Sequence, residues 1–259
     1  MEILGYIALF FVGITLGTLG GGGSILSVPI LVYLFAIDTV LATAYSLFIV
    51  GSSSLIGVLL KYNQHNVNIR TGIIFGIPSL AAVFLTRTRV IPAIPDILFQ
   101  TELFQLNKRA FILSLFALLM VGASVILIAK KRMLNRKSKQ PHPIYLIISG
   151  LITGLLTGLV GAGGGFLIVP ALVYLTNLPF KVSVGTTLLI ITINSFVGFT
   201  GDLTYQAVHW KFLLSITLLA IVGIFVGTIT ARSLPTQKLQ KSFGWLILMM
   251  GAWILLREL

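Results

Sequence analysis

Eight long apolar runs limit this chain to one broad class of protein. They lie near residues 3–19, 39–60, 71–86, 110–129, 144–160, 182–201, 212–231 and 242–256. A helix that crosses a bilayer needs about 20 apolar residues, within a range of about 17–25. Only 9% of the 259 residues are charged, whereas a soluble domain carries about 25%. We therefore predict an all-α polytopic protein of the cell membrane (inner or plasma membrane), surrounded by the lipid bilayer.

Two shorter apolar runs each follow a cluster of glycines. The stretches are GGGGSILSVPILVYL, Gly20–Leu34, and GAGGGFLIVPALVYL, Gly161–Leu175. Their apolar parts, 25–37 and 166–176, are too short to span a bilayer comfortably. Contiguous glycines also disfavour a helix. Each stretch therefore predicts a glycine-broken helix that is short or re-entrant.

The two glycine stretches belong to an internal repeat. Pro29 and Pro170 are 141 positions apart, and at that offset residues 17–34 align without gaps with 158–175, with 11 of 18 pairs identical. We predict two homologous repeats of about four transmembrane helices each, residues 1–129 and 144–259, joined by a basic linker, residues 130–143.

The linker bears on topology. Its stretch KKRMLNRKSK holds six of the 18 basic residues, which indicates a cytoplasmic loop rather than a nucleic-acid site. If each short run returns to the side it came from, each half crosses four times and the repeats are parallel. Both ends of the chain then share the linker's side. If each short run crosses, the repeats are inverted. We favour the parallel arrangement.

The glycine clusters suggest an anion site. Irregular backbone at membrane depth must be buried in protein or line a wet cavity, and glycine lets a ligand approach the backbone closely. The helix after each cluster begins with free N–H groups and partial positive charge, which suits an anion. We predict that Gly20–Ser24 and Gly161–Gly165 form two halves of one site, assisted by hydroxyls and an amide. The predicted substrate-binding residues are Gly20, Gly21, Gly22, Gly23, Ser24, Ser46, Gly161, Gly163, Gly164, Gly165, Thr186, Thr187, Asn194 and Ser195. The alternative is that these residues serve helix packing and interhelical hydrogen bonds.

Charged residues add little chemistry inside the apolar runs. None of the six acidic residues falls in the middle of a run, which disfavours a cation path. We expect Asp202 to form a surface ion pair near His209 and Lys211, with a gating or proton role as the alternative. Lys61, Arg70 or Lys211 could attract an anion or simply snorkel to the interface. No catalytic residue, metal site, cofactor or phosphate-binding loop is predicted.

Four stretches carry a resemblance to a known family. They are GTLGGGGSILSVPIL (Gly17–Leu31), GLVGAGGGFLIVPAL (Gly158–Leu172), GTTLLIITINSFVG (Gly185–Gly198) and ARSLPTQKLQKSFGWLILMMG (Ala231–Gly251). With these the chain resembles the sulfite exporter TauE/SafE family of membrane permeases, over nearly its whole length. The resemblance implies a secondary transporter of small sulfur-containing anions such as sulfite, thiosulfate or sulfonates such as sulfoacetate. Ala44-Tyr45-Ser46 stands where the second half reads Gly185-Thr186-Thr187, so we expect the halves to contribute unequally.

Three functions are therefore considered. The first is a gradient-driven exporter of a small organosulfur or sulfur oxyanion, in which one repeat rocks against the other. The second is a non-transporting membrane protein that assists assembly of a partner complex, with the glycine breaks purely architectural. The third, a cation or metal permease, is disfavoured by the missing ligands. Small residues on helix faces are compatible with a homodimer.

Overall fold

The architecture is a bundle of long helices with two short ones at its centre. The computed structural model describes residues 2–95, 97–100, 105–129, 143–161, 163–176, 178–203, 208–233 and 235–258. The predicted linker, apart from Pro143, lies outside these residues. The helices are α1 (Glu2–Leu19), α2 (Ser27–Tyr33), α3 (Thr39–Tyr62), α4 (Ile69–Leu85), α5 (Ile91–Ala93), α6 (Lys108–Ala129), α7 (Pro143–Val160), α8 (Gly165–Leu175), α9 (Phe180–Asp202), α10 (Trp210–Ser233) and α11 (Thr236–Glu258).

The predicted all-α membrane class is confirmed. Six of the described helices are long and apolar enough to cross a membrane, namely α3, α4 with its extension, α6, α7, α9 and α10. The apolar runs at the two ends of the chain form α1 and α11, and the two shorter runs form α2 and α8. Side-chain caps fix two of the starts. Asp38 accepts a hydrogen bond from the Val40 amide, and Asn68 accepts one from the Thr71 amide, both at 2.9 Å.

Three irregular segments interrupt the helices. The first glycine cluster forms a 3₁₀ helix, Gly20–Leu26, and a π-helical turn, Thr86–Val90, extends α4. A small antiparallel hairpin, β1 (Ile97–Gln100) and β2 (Gln105–Asn107), lies between α5 and α6. The hairpin was not predicted, because strands of four and three residues are too short to stand out between two long apolar runs.

Helices α3 and α9 form the centre of the bundle and run antiparallel. Gly198 lies against Leu47, Gly51 against Ser195, and Gly57 against Leu188, so positions later in α3 meet positions earlier in α9. These two helices are also the most buried of the candidate spans, at 61% and 72% of their most apolar windows.

Two parallel helix pairs flank this centre. Gly13 and Gly17 of α1 lie against Ala220 and Gly227 of α10, where a side chain on either glycine would collide with the partner backbone. Helix α7 packs on α4 in the same way, through the glycines spaced by four at Gly150, Gly154 and Gly158. These glycines therefore serve close helix packing.

The first short segment runs back along α1. Gly23 lies against Thr15 and Leu16 near the end of α1, whereas Phe35 lies against Gly5 near its start. The ring centroids of Tyr6 and Phe35 are 5.5 Å apart. The chain therefore returns along the length of α1 before α3 begins.

These directions contradict the parallel arrangement that we favoured. Helices α3 and α9 occupy equivalent positions at the offset of 141, yet they run in opposite directions. The helix directions thus follow the inverted alternative, in which each short segment crosses to the opposite face. Hydropathy could not distinguish the two, because a half-length helix is compatible with either.

The bundle therefore has two ends, which we name by their charged residues. The lysine face holds the end of α3 with Lys61 and the start of α9 with Lys181. The ion-pair face holds the end of α4 with Arg87 and the end of α9 with Asp202. Helix α1 starts on the ion-pair face, because Phe35, just before α3 begins there, lies against Gly5. Helix α11 ends on the same face, because Trp253 packs on Tyr33 at the end of α2. The α6 end and the α7 start, which the linker joins, lie on the lysine face.

Candidate anion-binding site

The two glycine clusters touch backbone to backbone. A methyl group on Gly165 would collide with the Cα and carbonyl oxygen of Gly21, and one on Gly21 would collide with the Cα of Gly165. Gly21 also lies against Ile191, and Gly163 lies against Val50 and Ile191. Since Val50 and Ile191 are near the midpoints of α3 and α9, the glycine turns meet halfway between the two faces.

Backbone conformation explains why glycine stands at several of these positions. Gly20 and Gly161, equivalent in the repeat, both have φ of +71°, and Gly163 and Gly164 have φ of +66° and +68°. Residues other than glycine rarely adopt such φ angles. Gly164 then directly precedes α8. The N-terminus of α8 therefore lies at the junction, where its first N–H groups and dipole favour negative charge.

Hydroxyl groups surround the junction. Ser195 Oγ would lie 3.1 Å from a Cβ on Gly163, and Thr157 Oγ1 lies against Gly164, whereas Thr187 presents its Cγ2 methyl to Gly21. All three side chains are fully buried, and their hydroxyl oxygens have no hydrogen-bond partner among the described residues. A buried hydroxyl without a partner costs free energy, so these groups are available to a ligand that reaches the junction.

The first cluster satisfies its own hydroxyls. Ser24 Oγ donates to the Gly21 carbonyl at 2.6 Å, and Ser27 Oγ donates to the Ser24 carbonyl at 2.6 Å. Ser46 hydrogen-bonds to Ser27. Gly22 belongs to the same 3₁₀ helix, and Gly23 lies against α1. These bonds hold the first turn in place and leave the free hydroxyls on the side of the second repeat.

Two predicted site residues point away from the junction. Thr186 Oγ1 accepts from the Asn68 amide at 2.9 Å and donates to the Val182 carbonyl at 2.8 Å. Asn194 Nδ2 donates to Ser79 Oγ at 2.6 Å. Both side chains therefore contact α4 or the segment that begins it, as expected for helix-to-helix hydrogen bonds. Asn194 Oδ1 remains without a partner among the described residues.

A buried ion pair lies on one side of the junction. Arg87 Nη1 is 3.0 Å from Asp202 Oδ2 and donates to Thr43 Oγ1 at 3.0 Å. The two charged side chains are 0% and 1% exposed. A methyl group on Gly161 would collide with both Arg87 Nη2 and Thr43. The pair therefore packs directly against the second glycine turn.

This pair corrects the sequence analysis. Asp202 was expected in a surface ion pair near His209 and Lys211, but it is buried and pairs with Arg87 of the other repeat. Arg87 was missed, because a basic residue at the edge of an apolar run usually lies at the membrane interface. The signal was weak, since the partners are 115 positions apart in the chain.

The lysine face holds a cavity. At the offset of 141, Asp202 corresponds to Lys61, Thr43 to Val184 and Arg87 to Thr228. The cavity has a volume of about 470 Å³ and is lined by Lys61, Asn63, Gln64, Asn66, Lys181 and Ala231. A second cavity of about 10 Å³ shares Lys61 and Lys181 and reaches Val184, which lies against Gly20. Sequence analysis had noted only Lys61 of these residues.

Comparison with known proteins identifies the family. A model of the family described as sulfite exporter TauE/SafE matches residues 6–254. The chain belongs to the sulfite exporter TauE/SafE family. A relative from Xylella fastidiosa (strain Temecula1), named probable membrane transporter protein, is 25% identical over 95% of this chain and 92% of the relative. The Bacillus subtilis proteins YdhB and YunE, with the same description, are 27% and 24% identical over 91% and 96% of this chain, and over 93% and 96% of their own lengths. No solved structure matches the chain.

Membership of the TauE/SafE family confirms the resemblance seen in the sequence. The relatives' names and the six apolar helices make the protein a multi-pass membrane transporter. It lies in the lipid bilayer of the cell membrane, as predicted.

Proposed function

We propose that the protein is a secondary transporter that exports small sulfur-containing anions such as sulfite, sulfoacetate or other sulfonates. The observation that carries this proposal is the meeting of the two glycine turns at mid-depth, beside buried hydroxyls without partners. Hydroxyls, backbone N–H groups and a helix N-terminus donate to an oxyanion without a change of protonation. The family name supports a sulfur oxyanion as the cargo.

Transport by this site requires a change of conformation. The described glycines of both turns lie against protein atoms, so a ligand fits only after the turns separate. The turns come from different halves of the chain, and rocking of one half against the other would part them. Alternating access of this kind is common in transporters with broken helices at their centre.

The test uses purified protein in proteoliposomes and in detergent. We expect counterflow of labelled sulfoacetate or sulfite, and thermal stabilisation by the same anion that follows RT ln(1 + [L]/Kd). Thr187→Val and Ser195→Ala remove one donor each with little change of volume. A hydrogen bond to a charged group contributes about 1.5–3 kcal/mol, so each variant should weaken binding about tenfold or more.

Thr192→Val is the matched control for this test. Thr192 lies on the same helix, but its hydroxyl donates to the Leu188 carbonyl at 2.8 Å, so this variant should bind like the wild type. If wild-type protein neither moves nor binds any sulfur anion, transport of these anions is wrong and the assembly role becomes the leading alternative. Equal weakening by all three variants would contradict the assignment of the site.

A further inference from the structure

The cavity on the lysine face differs in charge from the rest of the bundle. Among the described residues, two ammonium groups, Lys61 and Lys181, and the carboxamides of Asn63, Gln64 and Asn66 line it, and none of these lining residues is a carboxylate. Lys61 is 5% exposed, so its charge lies in the wall of the cavity rather than in bulk water. Gln64 Nε2 is buried without a hydrogen-bond partner among the described residues. The lining thus offers positive charge and N–H donors, which is the chemistry that binds oxyanions.

One side of the cavity lies at the protein surface, and its inner side lies towards the first glycine turn. Asn63 is exposed, and Asn63, Gln64 and Asn66 belong to the loop between α3 and α4. On the inner side, the smaller cavity reaches Val184, whose side chain lies against Gly20. The Val184 side chain therefore lies between the smaller cavity and the first glycine turn.

The charges of the two faces indicate which one is cytoplasmic. The described Lys and Arg residues divide evenly between the faces. Lys61, Arg70, Lys181, Arg232, Lys238 and Lys241 lie on the lysine face, and Arg87, Arg89, Lys108, Arg109, Lys211 and Arg257 lie on the ion-pair face. The linker sequence KKRMLNRKSK, between the α6 end and the α7 start on the lysine face, adds six more basic residues. Because Lys and Arg concentrate in cytoplasmic loops, the lysine face is the cytoplasmic one.

We propose that this cavity is an anion recruitment site on the cytoplasmic face, which binds small sulfonates and other sulfur oxyanions before they pass to the glycine turns. The proposal rests on the proposed function for its cargo. A volume of about 470 Å³ exceeds what one such anion fills, so the anion enters with part of its hydration shell. Positively lined clefts raise the local concentration of anions and their association rates. Val184 then separates recruitment from transport.

The experiment measures electrostatic potential inside the cavity without measuring transport. The chain contains no cysteine, so a single Asn66→Cys substitution gives one reactive thiol. Anionic and cationic methanethiosulfonate reagents of similar size are applied to protein in vesicles of known orientation. We expect the anionic reagent to react faster relative to the cationic one than it does at an exposed cysteine on the other face, such as His209→Cys.

Neutral substitutions test whether the two lysines cause the faster reaction with the anionic reagent. Lys61→Gln or Lys181→Gln should lower the anionic-to-cationic rate ratio at Asn66→Cys about fivefold, which corresponds to about 1 kcal/mol. Raising the salt concentration should also lower the anionic-to-cationic rate ratio. Lys211→Gln is the matched control, because it removes one charge from the ion-pair face. Sulfoacetate, which does not consume the reagent, should protect the thiol in wild-type background and protect it less in either lysine variant.

Each outcome decides between the two proposals. A ratio unchanged by Lys61→Gln and Lys181→Gln overturns the recruitment site, even where counterflow of a sulfur anion is intact. A lysine-dependent ratio with no protection by sulfoacetate, sulfate or acetate also overturns it, because the cavity then attracts anions without binding them. Protection by these anions in a protein that fails the counterflow test supports the recruitment site and rejects the proposed transport function.

Discussion

At the scale of single residues, Gly165 stands where the two glycine turns meet. Its Cα lies against the backbone of Gly21, so a side chain there has no flexible neighbour to displace. The sequence could predict that this glycine matters, since contiguous glycines inside an apolar segment have no propensity reason to exist. It could not predict the contact, because the touching residues lie 144 positions apart.

Gly165→Ala is expected to lower the free energy of unfolding by about 1–3 kcal/mol, the usual cost of overpacking a buried site. Gly122→Ala is the matched control, since nothing lies within 4 Å of a Cβ on Gly122 of α6. That control should be neutral or stabilise the helix by up to about 1 kcal/mol. Thermal unfolding in detergent measures both. Equal stability of the two variants would mean that the glycine turns do not touch in solution.

Asp202 gives a second prediction at this scale. Asp202→Asn leaves the buried Arg87 charge without its carboxylate, and removal of one partner of a buried pair costs about 3–5 kcal/mol. Asp38→Asn is the control, because Asp38 is exposed and an asparagine caps a helix about as well as an aspartate. We expect a large drop in unfolding temperature for the first variant alone. Similar behaviour of both would contradict the burial of the pair.

At the scale of elements, the helices could be predicted and their directions could not. The eight apolar runs coincide with α1, α3, α4, α6, α7, α9, α10 and α11, because a membrane helix needs a continuous apolar stretch that hydropathy detects. The direction of α3 depends instead on whether the segment before it returns along α1. Packing of Gly23 and Phe35 against α1 decides that question, and neither residue carries a signal for it in the sequence.

Helix direction leads to a prediction about accessibility. Asn63, just after α3, and Leu203, just after α9, are exposed on opposite faces. Single cysteines at these two positions should therefore be labelled by an impermeant thiol reagent from opposite sides of the membrane. The native chain has no cysteine, so no background reaction interferes. Labelling of both from the same side would restore the parallel arrangement.

At the scale of the whole molecule, the cavity and the ion pair lie at opposite ends of the α3 and α9 pair. Lys61, which is equivalent in the repeat to Asp202 of the ion pair, lines the cavity on the lysine face. The described residues therefore leave space at the lysine face and pack closely around the ion pair. Sequence analysis could not predict the state, because it depends on which face is packed rather than on which residues are present.

Weakening the ion pair should shift this balance. The double variant Arg87→Gln, Asp202→Asn keeps the side chains uncharged and able to hydrogen-bond, so the ion-pair face should open more often. A cysteine at Thr39, which is 1% exposed near that face, should react faster in this background, while one at Asn66 should react more slowly. Unchanged rates at both positions would show that the pair does not hold the face closed.

The ion pair has a consequence for the resting state of the empty carrier. If the two halves were identical, exchanging their conformations would produce a second state of equal free energy. The binding site of the empty protein would then face each membrane surface equally often. Here the repeat-related positions differ, with Arg87 and Asp202 at one end and Thr228 and Lys61 at the other. That difference removes the degeneracy, because the two ends carry different side chains. We therefore expect the binding site of the empty protein to face one membrane surface more often than the other.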